Sequence, residues 1–448
     1  MAELAQADLQ SGPPRLWNRL IARTIRHCSD HPFYRAHWAG IDTAGIETHR
    51  DLVRLPRLER RHMDRFYRET CGLPGARTGT IIHSSGTTGS RVYRLRSPEE
   101  LEFVWKFWLA LAGPPGQPRE AIRPLALMID INEHCGSVSL PAGAPSLRLG
   151  SWSQEKLDEA IMLLRSKHCF PGLSESVRIV GGGIDVVSSL TAGLIRTGID
   201  PADLDVELLV VGGETMTPER YRWLRESWQA VVRDCWSCSE VFGSATRHSE
   251  SEPLLFDPHV VTELVDAATG EPLEEGLGRL VLTELFPFSQ LQPMVRLDVG
   301  DLFSAVPAGP GRRGFKCWGR AANSIFLPDG RPALTALEIR QALEPLPWVC
   351  REPDADLNHY LDWAKPLTPP LYRAEWIKSE GPPTVLVEIP VDFDPMLFEE
   401  IRGRVIEEIR ERLLNSSPRF GMMVKVSSCL LEVDIAFGRD MTKFKPAV

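Results

Sequence analysis

Apolar and polar positions alternate along the chain with two different periods. Near the start, Leu16, Leu20, Thr24 and Cys28 recur every four residues with Trp17, Ile21 and Ile25 beside them, which predicts an amphipathic helix. The stretch DHPFY at 30–34 ends it, with Pro32 as the stop signal. Thr217-Pro218-Glu219 predicts another helix start, an N-cap threonine with proline in the first turn, and Asp394-Pro395 predicts a further one. Between these lie β-rich runs: VELLVV (206–211), RLVLTEL (279–285), TVLVEI (384–389) and VKVSSCLLEV (424–433). Helices and strands alternate throughout, so the class is α/β plus α+β. Proline- and glycine-rich stretches, AVPAGPGRRG (305–314) and FLPDGRPA (326–333), frame a boundary. The expected division is 1–322 for a large N-terminal domain and 323–448 for a small α+β domain.

Length and composition narrow the class of function. A chain of 448 residues exceeds one ordinary domain of about 150. Hydrophobic residues at 43% and charged residues at 25% are those of a soluble globular protein. A net charge of −9 argues against nucleic acid or an anionic membrane as the main partner. The start, MAELAQADLQSGPP, has no basic stretch ahead of an apolar core, so no signal peptide is expected. Nine scattered cysteines do not form a disulfide framework, and a reduced, cytoplasmic protein is expected. Cys235 and Cys238 have the CxxC spacing, but no second pair accompanies them, and a structural role is expected.

The stretch SSGTTGS at 84–90 is chemically more pointed, and the basic run Arg91, Arg94, Arg96 follows it. Glycines let backbone N–H groups converge, and serine and threonine hydroxyls add donors without bulk, so such a nest suits an anion such as phosphate. The pattern GxxxxGK[ST] is not met, because Gly86 and Gly89 are too close and no GK follows. On composition alone a solvated turn is the plainer reading.

Four further segments change that reading. Gly212-Gly213-Glu214 follows an apolar run, Trp236-Ser237-Cys238-Ser239-Glu240 comes next, then PMVRLDVGD (293–301), then Gly319-Arg320. Together with the loop at 84–89, in this order, they resemble the SSGTTG, GGE, YGx[ST]E, PxxRYRTGD and GR segments of the adenylate-forming superfamily, which includes acyl-CoA synthetases, luciferases and adenylation domains. HPFYRAHW, LVRLPRLER and EEGLGRLVLTELFPFSQLQPMVRLDVGD resemble the phenylacetate–CoA ligase branch.

The resemblance implies a large N-terminal domain of mixed sheets and helices with a small mobile C-terminal lid. It implies ATP-dependent joining of a carboxylic acid, aryl, arylacetic or related, to AMP with loss of pyrophosphate, then transfer to CoA or a phosphopantetheine carrier protein. Ser84, Ser85, Gly86, Thr87, Thr88 and Gly89 would cradle the phosphates, with Arg91 adding charge. Glu240 would hold Mg2+, with Ser239 beside it in the same motif. Gly213 and Glu214 would line the adenine pocket, and Trp236 would stack on the base or serve as a core tryptophan. Asp301 would accept from the ribose hydroxyls, with Arg320 assisting. Aligning TKFKPAV with the family's C-terminal loop makes Lys443 the catalytic lysine, with Lys445 the alternative. Asn323 stands at the hinge, where relatives carry an acidic residue. The acid would meet the segment 129–143, where Asn132 and His134 hint at a polar substrate, while Trp105 and Phe107 read as core. An amide-forming ligase and a non-catalytic nucleotide-binding homologue are the alternatives. A homodimer is compatible with the reading.

Overall fold

A computed structural model describes residues 13–83, 92–103, 122–129, 146–150, 153–241, 243–308, 313–351, 367–377, 381–394, 399–426, 428–437 and 443–447. The amphipathic start forms the helix Pro13–Ser29, which buries Leu20, Ile21, Thr24, Ile25 and Cys28. Pro32 does more than stop it. It occupies the first turn of a second helix, Pro32–His37, whose N-cap His31 accepts from the Phe33 N–H at 3.1 Å. The Tyr34 hydroxyl then donates to the Pro293 carbonyl at 2.7 Å and accepts from the Val295 N–H at 2.9 Å, tying this helix to a segment far along the chain.

The central element is a sheet of seven strands among the described residues. Its order is Ser146–Leu149, Arg123–Ile129, Leu173–Gly183, Leu208–Gly212, Val231–Ser237, Ser244–Arg247 and Leu255–Phe256. The first five are parallel and the last two antiparallel. Continuous apolar runs such as LLVV suit strands covered on both faces. Helices Gln154–Arg165, Ile184–Arg196 and Pro218–Trp228 supply the cover, packing Leu157, Leu190 and Leu224 on Val180, Leu209 and Val232. Thr217 caps the last helix as expected, its hydroxyl accepting from the Arg220 N–H.

A four-stranded antiparallel sheet follows: Val260–Val265, Leu277–Glu284, Leu297–Pro307 and Arg313–Arg320. It shares a second core with the N-terminal helices. A third core gathers Ile325, Leu334, Ile339, Tyr372, Val387, Ile409 and Phe420. This C-terminal unit contains the strand order Leu430–Ala436, Thr384–Pro390, Leu371–Ile377 and Lys445–Pro446.

One expectation changes. The run 424–433 is not a single strand: the helix Pro418–Lys425 takes its front and the strand is Leu430–Ala436. Ser417 accepts from the Phe420 N–H at 3.3 Å and Pro418 fills the first turn, so the helix is committed before the valines are reached. The start expected at Asp394-Pro395 lies partly outside the described residues; the helix is described over Glu399–Ser416.

Candidate functional site

Parallel strands present their carboxyl ends to one side of the sheet, where ligands of open α/β sheets bind. The strand Leu208–Gly212 ends in the two glycines for steric reasons. A Cβ on Gly212 would lie 2.5 Å from the Cys235 carbonyl oxygen on the neighbouring strand, and Gly213 turns the chain at φ +93°. Glu214 follows, its Oε2 accepting from Arg340 Nη1 at 2.6 Å. Thr215 Oγ1 lies 3.7 Å from Cys317 Sγ on the strand that ends at Arg320.

The neighbouring strand Val231–Ser237 delivers Trp236, and the turn after it carries Cys238, Ser239 and Glu240. Trp236 Nε1 donates to Asp301 Oδ2 at 2.9 Å while its ring packs edge-on to Phe256 and Phe303. The ring thus packs against the second core while its N–H is spent on Asp301. Asp301 is paired across the antiparallel sheet with Arg320, whose Nε lies 3.1 Å from Oδ1. That approach lacks hydrogen-bond geometry, and Oδ1 is buried without a donor among the described residues. Burial pushes the Asp301 carboxyl above its usual range, opposed by Arg320 and Trp236 and reinforced by Glu240. The Glu240 carboxylate accepts no hydrogen bond from a described residue, while its backbone carbonyl accepts from Arg94 Nε at 3.0 Å.

Residues 84–89, together with Arg91, Trp105, Phe107, Asn132 and His134, lie outside the described residues. The strands flanking the loop, Thr80–His83 and Tyr93–Arg96, form an antiparallel hairpin. Two of the three cations behind the loop are committed elsewhere. Arg94 and Arg96 are buried and share Glu284, at 2.6 and 2.8 Å, and Arg96 also holds Glu100 at 3.1 Å. Burial and the neighbouring Arg96 bring the Arg94 guanidinium down to about 10.

The turn Ala321–Asn323 joins this site to the C-terminal unit. The Asn323 carbonyl accepts from the Tyr372 hydroxyl. Lys445 Nζ donates to the Ala322 carbonyl at 2.9 Å and sits 5.1 Å from the centre of the Tyr372 ring. Burial lowers its pKa. Lys443, the lysine favoured from sequence, is exposed. The CxxC pair offers no thiolate: burial pushes Cys235 up to about 12 and holds Cys238 well above the ordinary thiol range. No cluster of three potential metal-binding side chains occurs among the described residues. No described helix is long and apolar enough to cross a membrane.

Sequence reasoning missed the partners that fix these groups: Arg94 beneath the Glu240 turn, and Arg340 on Glu214. The pairs are separated by 146 and 126 residues, and no spacing rule reaches so far.

No family model matches the chain. The phenylacetate-coenzyme A ligase of Pseudomonas putida is 33% identical over 139 residues, covering 30% of this chain and 31% of that protein. The phenylacetate-coenzyme A ligase of Thermus thermophilus is 25% identical over 290 residues, covering 60% of each. The matches thus span less than two thirds of either relative. Among solved structures, 2-hydroxyisobutyryl-CoA ligase in the postadenylation state with R3-HIB-AMP matches with a TM-score of 0.64 at 16% identity, over 96% of this chain and 88% of that one. A benzoate CoA ligase from Burkholderia xenovorans LB400 matches with a TM-score of 0.50 at 14% identity, over 84% and 68%. The chain is thus a sequence relative of phenylacetate-coenzyme A ligases and shares the fold of the adenylate-forming CoA ligases.

Proposed function

We propose that the protein activates a small carboxylic acid, aryl, arylacetic or related, as its acyl-adenylate at the expense of ATP, releasing pyrophosphate. The acyl group then passes to the thiol of CoA or of a carrier protein. The observation that carries this reading is Asp301. One oxygen is oriented by Trp236, and the other is buried without a donor beside Arg320. A carboxylate held this way suits the paired hydroxyl donors of a ribose, and an unmet buried acceptor is costly unless a ligand meets it.

Adenylation brings a carboxylate against a triphosphate, so the site must offset negative charge where the two meet. Arg320 supplies one fixed cation at the ribose end, and Gly213 and Glu214 form the adenine wall. Residues 84–89 are assigned to the phosphates, supported by the Arg94 bond that ties their hairpin to the Glu240 turn. When bound, Mg2+ would neutralise phosphate oxygens, and Glu240 has a carboxylate available to hold it. Asn132 and His134 are assigned to the acid. In this reading residues 323–448 form the lid, and its lysine facing the hinge is Lys445.

The test is ATP–pyrophosphate exchange across aryl, arylacetic, amino and fatty acids, followed by product analysis with CoA, holo-carrier protein and amines. Acid-dependent exchange is expected, with thioester as product. Amide without thioester would redirect the second step, and ATP binding without exchange for any acid would leave a nucleotide-binding homologue.

Asp301 adds a pH signature. Only the ionised carboxylate accepts from both hydroxyls, and burial raises its pKa. ATP affinity is therefore expected to be flat at high pH and to fall by about tenfold per unit below that raised value. The fall should begin above the ordinary aspartate range. Asp301→Asn should weaken binding and remove this pH dependence in calorimetric titrations; an unchanged profile would assign it elsewhere.

A further inference from the structure

Charged side chains from both units meet behind the Gly213–Thr215 segment, Arg340, Arg220 and Asp185 buried and Glu214 partly exposed. The large unit contributes Asp185 in the first turn of Ile184–Arg196, Glu214, and Arg220 in the first turn of Pro218–Trp228. The C-terminal unit contributes Arg340 in the helix Ala336–Leu343, and Glu344 just after it. Arg340 is 1% exposed; besides its bond to Glu214, its Nη2 lies 3.6 Å from Asp185 and 3.7 Å from Glu344. Arg220 donates to Asp185 at 2.8 Å, to the Leu367 carbonyl at 2.7 Å and to Glu344. Glu344 also accepts from Thr217 Oγ1 at 2.8 Å.

Such a cluster is a poor way to gain stability, because desolvation offsets most of the attraction. Arg340 even leaves Nε and Nη2 without hydrogen-bond acceptors among the described residues. Apolar side chains would join the two units at lower cost. What the arginine adds is a directed bond to one carboxylate, and that carboxylate follows the left-handed Gly213 at the end of the strand. Burial and the nearby Glu214, with which it shares a side-chain hydrogen bond, hold the Asp185 carboxyl well above its usual range, opposed by Arg220 and Arg340; the cation bonded directly to Glu214 is Arg340.

We propose that Arg340 is a positioning residue for the nucleotide site, setting Gly213–Thr215 through Glu214, so that this wall is complete only while the C-terminal unit is seated as seen here. The inference rests on the proposed ATP-dependent reaction. It links occupancy of the nucleotide site to the seat of the C-terminal unit without any contact between Arg340 and the ligand.

The test is a double-mutant cycle read as the Kd for ATP, measured by calorimetry on the full chain without acid. Arg340→Met and Glu214→Gln are each expected to weaken ATP by about tenfold, and the double variant no further than the weaker single. Arg340→Lys should recover part of the loss. Arg351→Met is the structural control. Arg351 bonds only to carbonyls of Glu344, Leu346 and Thr368 among the described residues, so its loss should lower Tm yet keep Kd within about twofold. Additive effects in the cycle, wild-type affinity in Arg340→Met, or weakening by Arg351→Met in step with Tm would each overturn the proposal. Wild-type protein that binds no ATP would instead overturn the proposed function, and Arg340→Met would then register only in Tm.

Discussion

Lys445→Ala is expected to slow acid-dependent ATP–pyrophosphate exchange by about a hundredfold or more, the loss typical of removing one donor aimed at developing charge. Lys443→Ala should change exchange by less than about threefold, as an exposed side chain would. The ranking follows from placement. Lys445 lies in the strand Lys445–Pro446, opposite Tyr372. Its ammonium reaches the Ala322 carbonyl, two residues beyond the arginine that faces Asp301. An ammonium has three N–H donors, and that carbonyl takes one. ATP affinity without acid should change little in Lys445→Ala, because in the proposed reaction the lysine would act where charge develops rather than where the nucleotide is held. Exchange assays on the two variants, with calorimetric ATP titrations beside them, check both statements. The opposite ranking would return the role to Lys443.

Glu284→Ala is expected to cost about 3–5 kcal/mol of stability, the range for breaking a buried ion pair from one side. Glu284 is the acceptor shared by Arg94 and Arg96, and all three side chains are 1% exposed. Its removal takes a shared carboxylate from two buried guanidinium groups, with Glu100 still paired to Arg96. Burial already makes the Arg94 charge hard to hold, as its lowered pKa records. By contrast, Asp64→Ala removes the partner of Arg68 from a pair about three-quarters exposed, and should cost under about 1 kcal/mol. Denaturant unfolding followed by tryptophan fluorescence compares the two. A Glu284→Ala loss no larger than that of Asp64→Ala would mean that water reaches the arginines.

Local features were legible in the sequence. The helix at Pro218 was announced by its cap, and the strands Leu208–Gly212 and Leu277–Glu284 by their apolar runs. Gly212 and Gly213 could be picked out by motif, but the close approach of the Cys235 oxygen that requires the first appears only once two strands are paired. The misread run at 424–433 shows the limit of composition: valines suited to a strand were taken over by a helix already capped at Ser417. Of the basic run after residue 90, Arg94 and Arg96 face Glu284 across about 190 residues of chain. Long-range ion pairs leave no periodic trace, so the supports of Glu240 and Glu214 were invisible.

The turn after Arg320 has a mechanical consequence. Arg320 is fastened to Asp301 and to the Val299 carbonyl, while the carbonyls of Ala322 and Asn323 are fastened to Lys445 and Tyr372. Grip on one side and grip on the other are thus separated by a single residue, Ala321, with almost no slack. Any swing of the C-terminal unit about this point would tug on Arg320 and Asp301 directly, so in the proposed reaction letting go of a product at Asp301 and changing posture would be one motion rather than two.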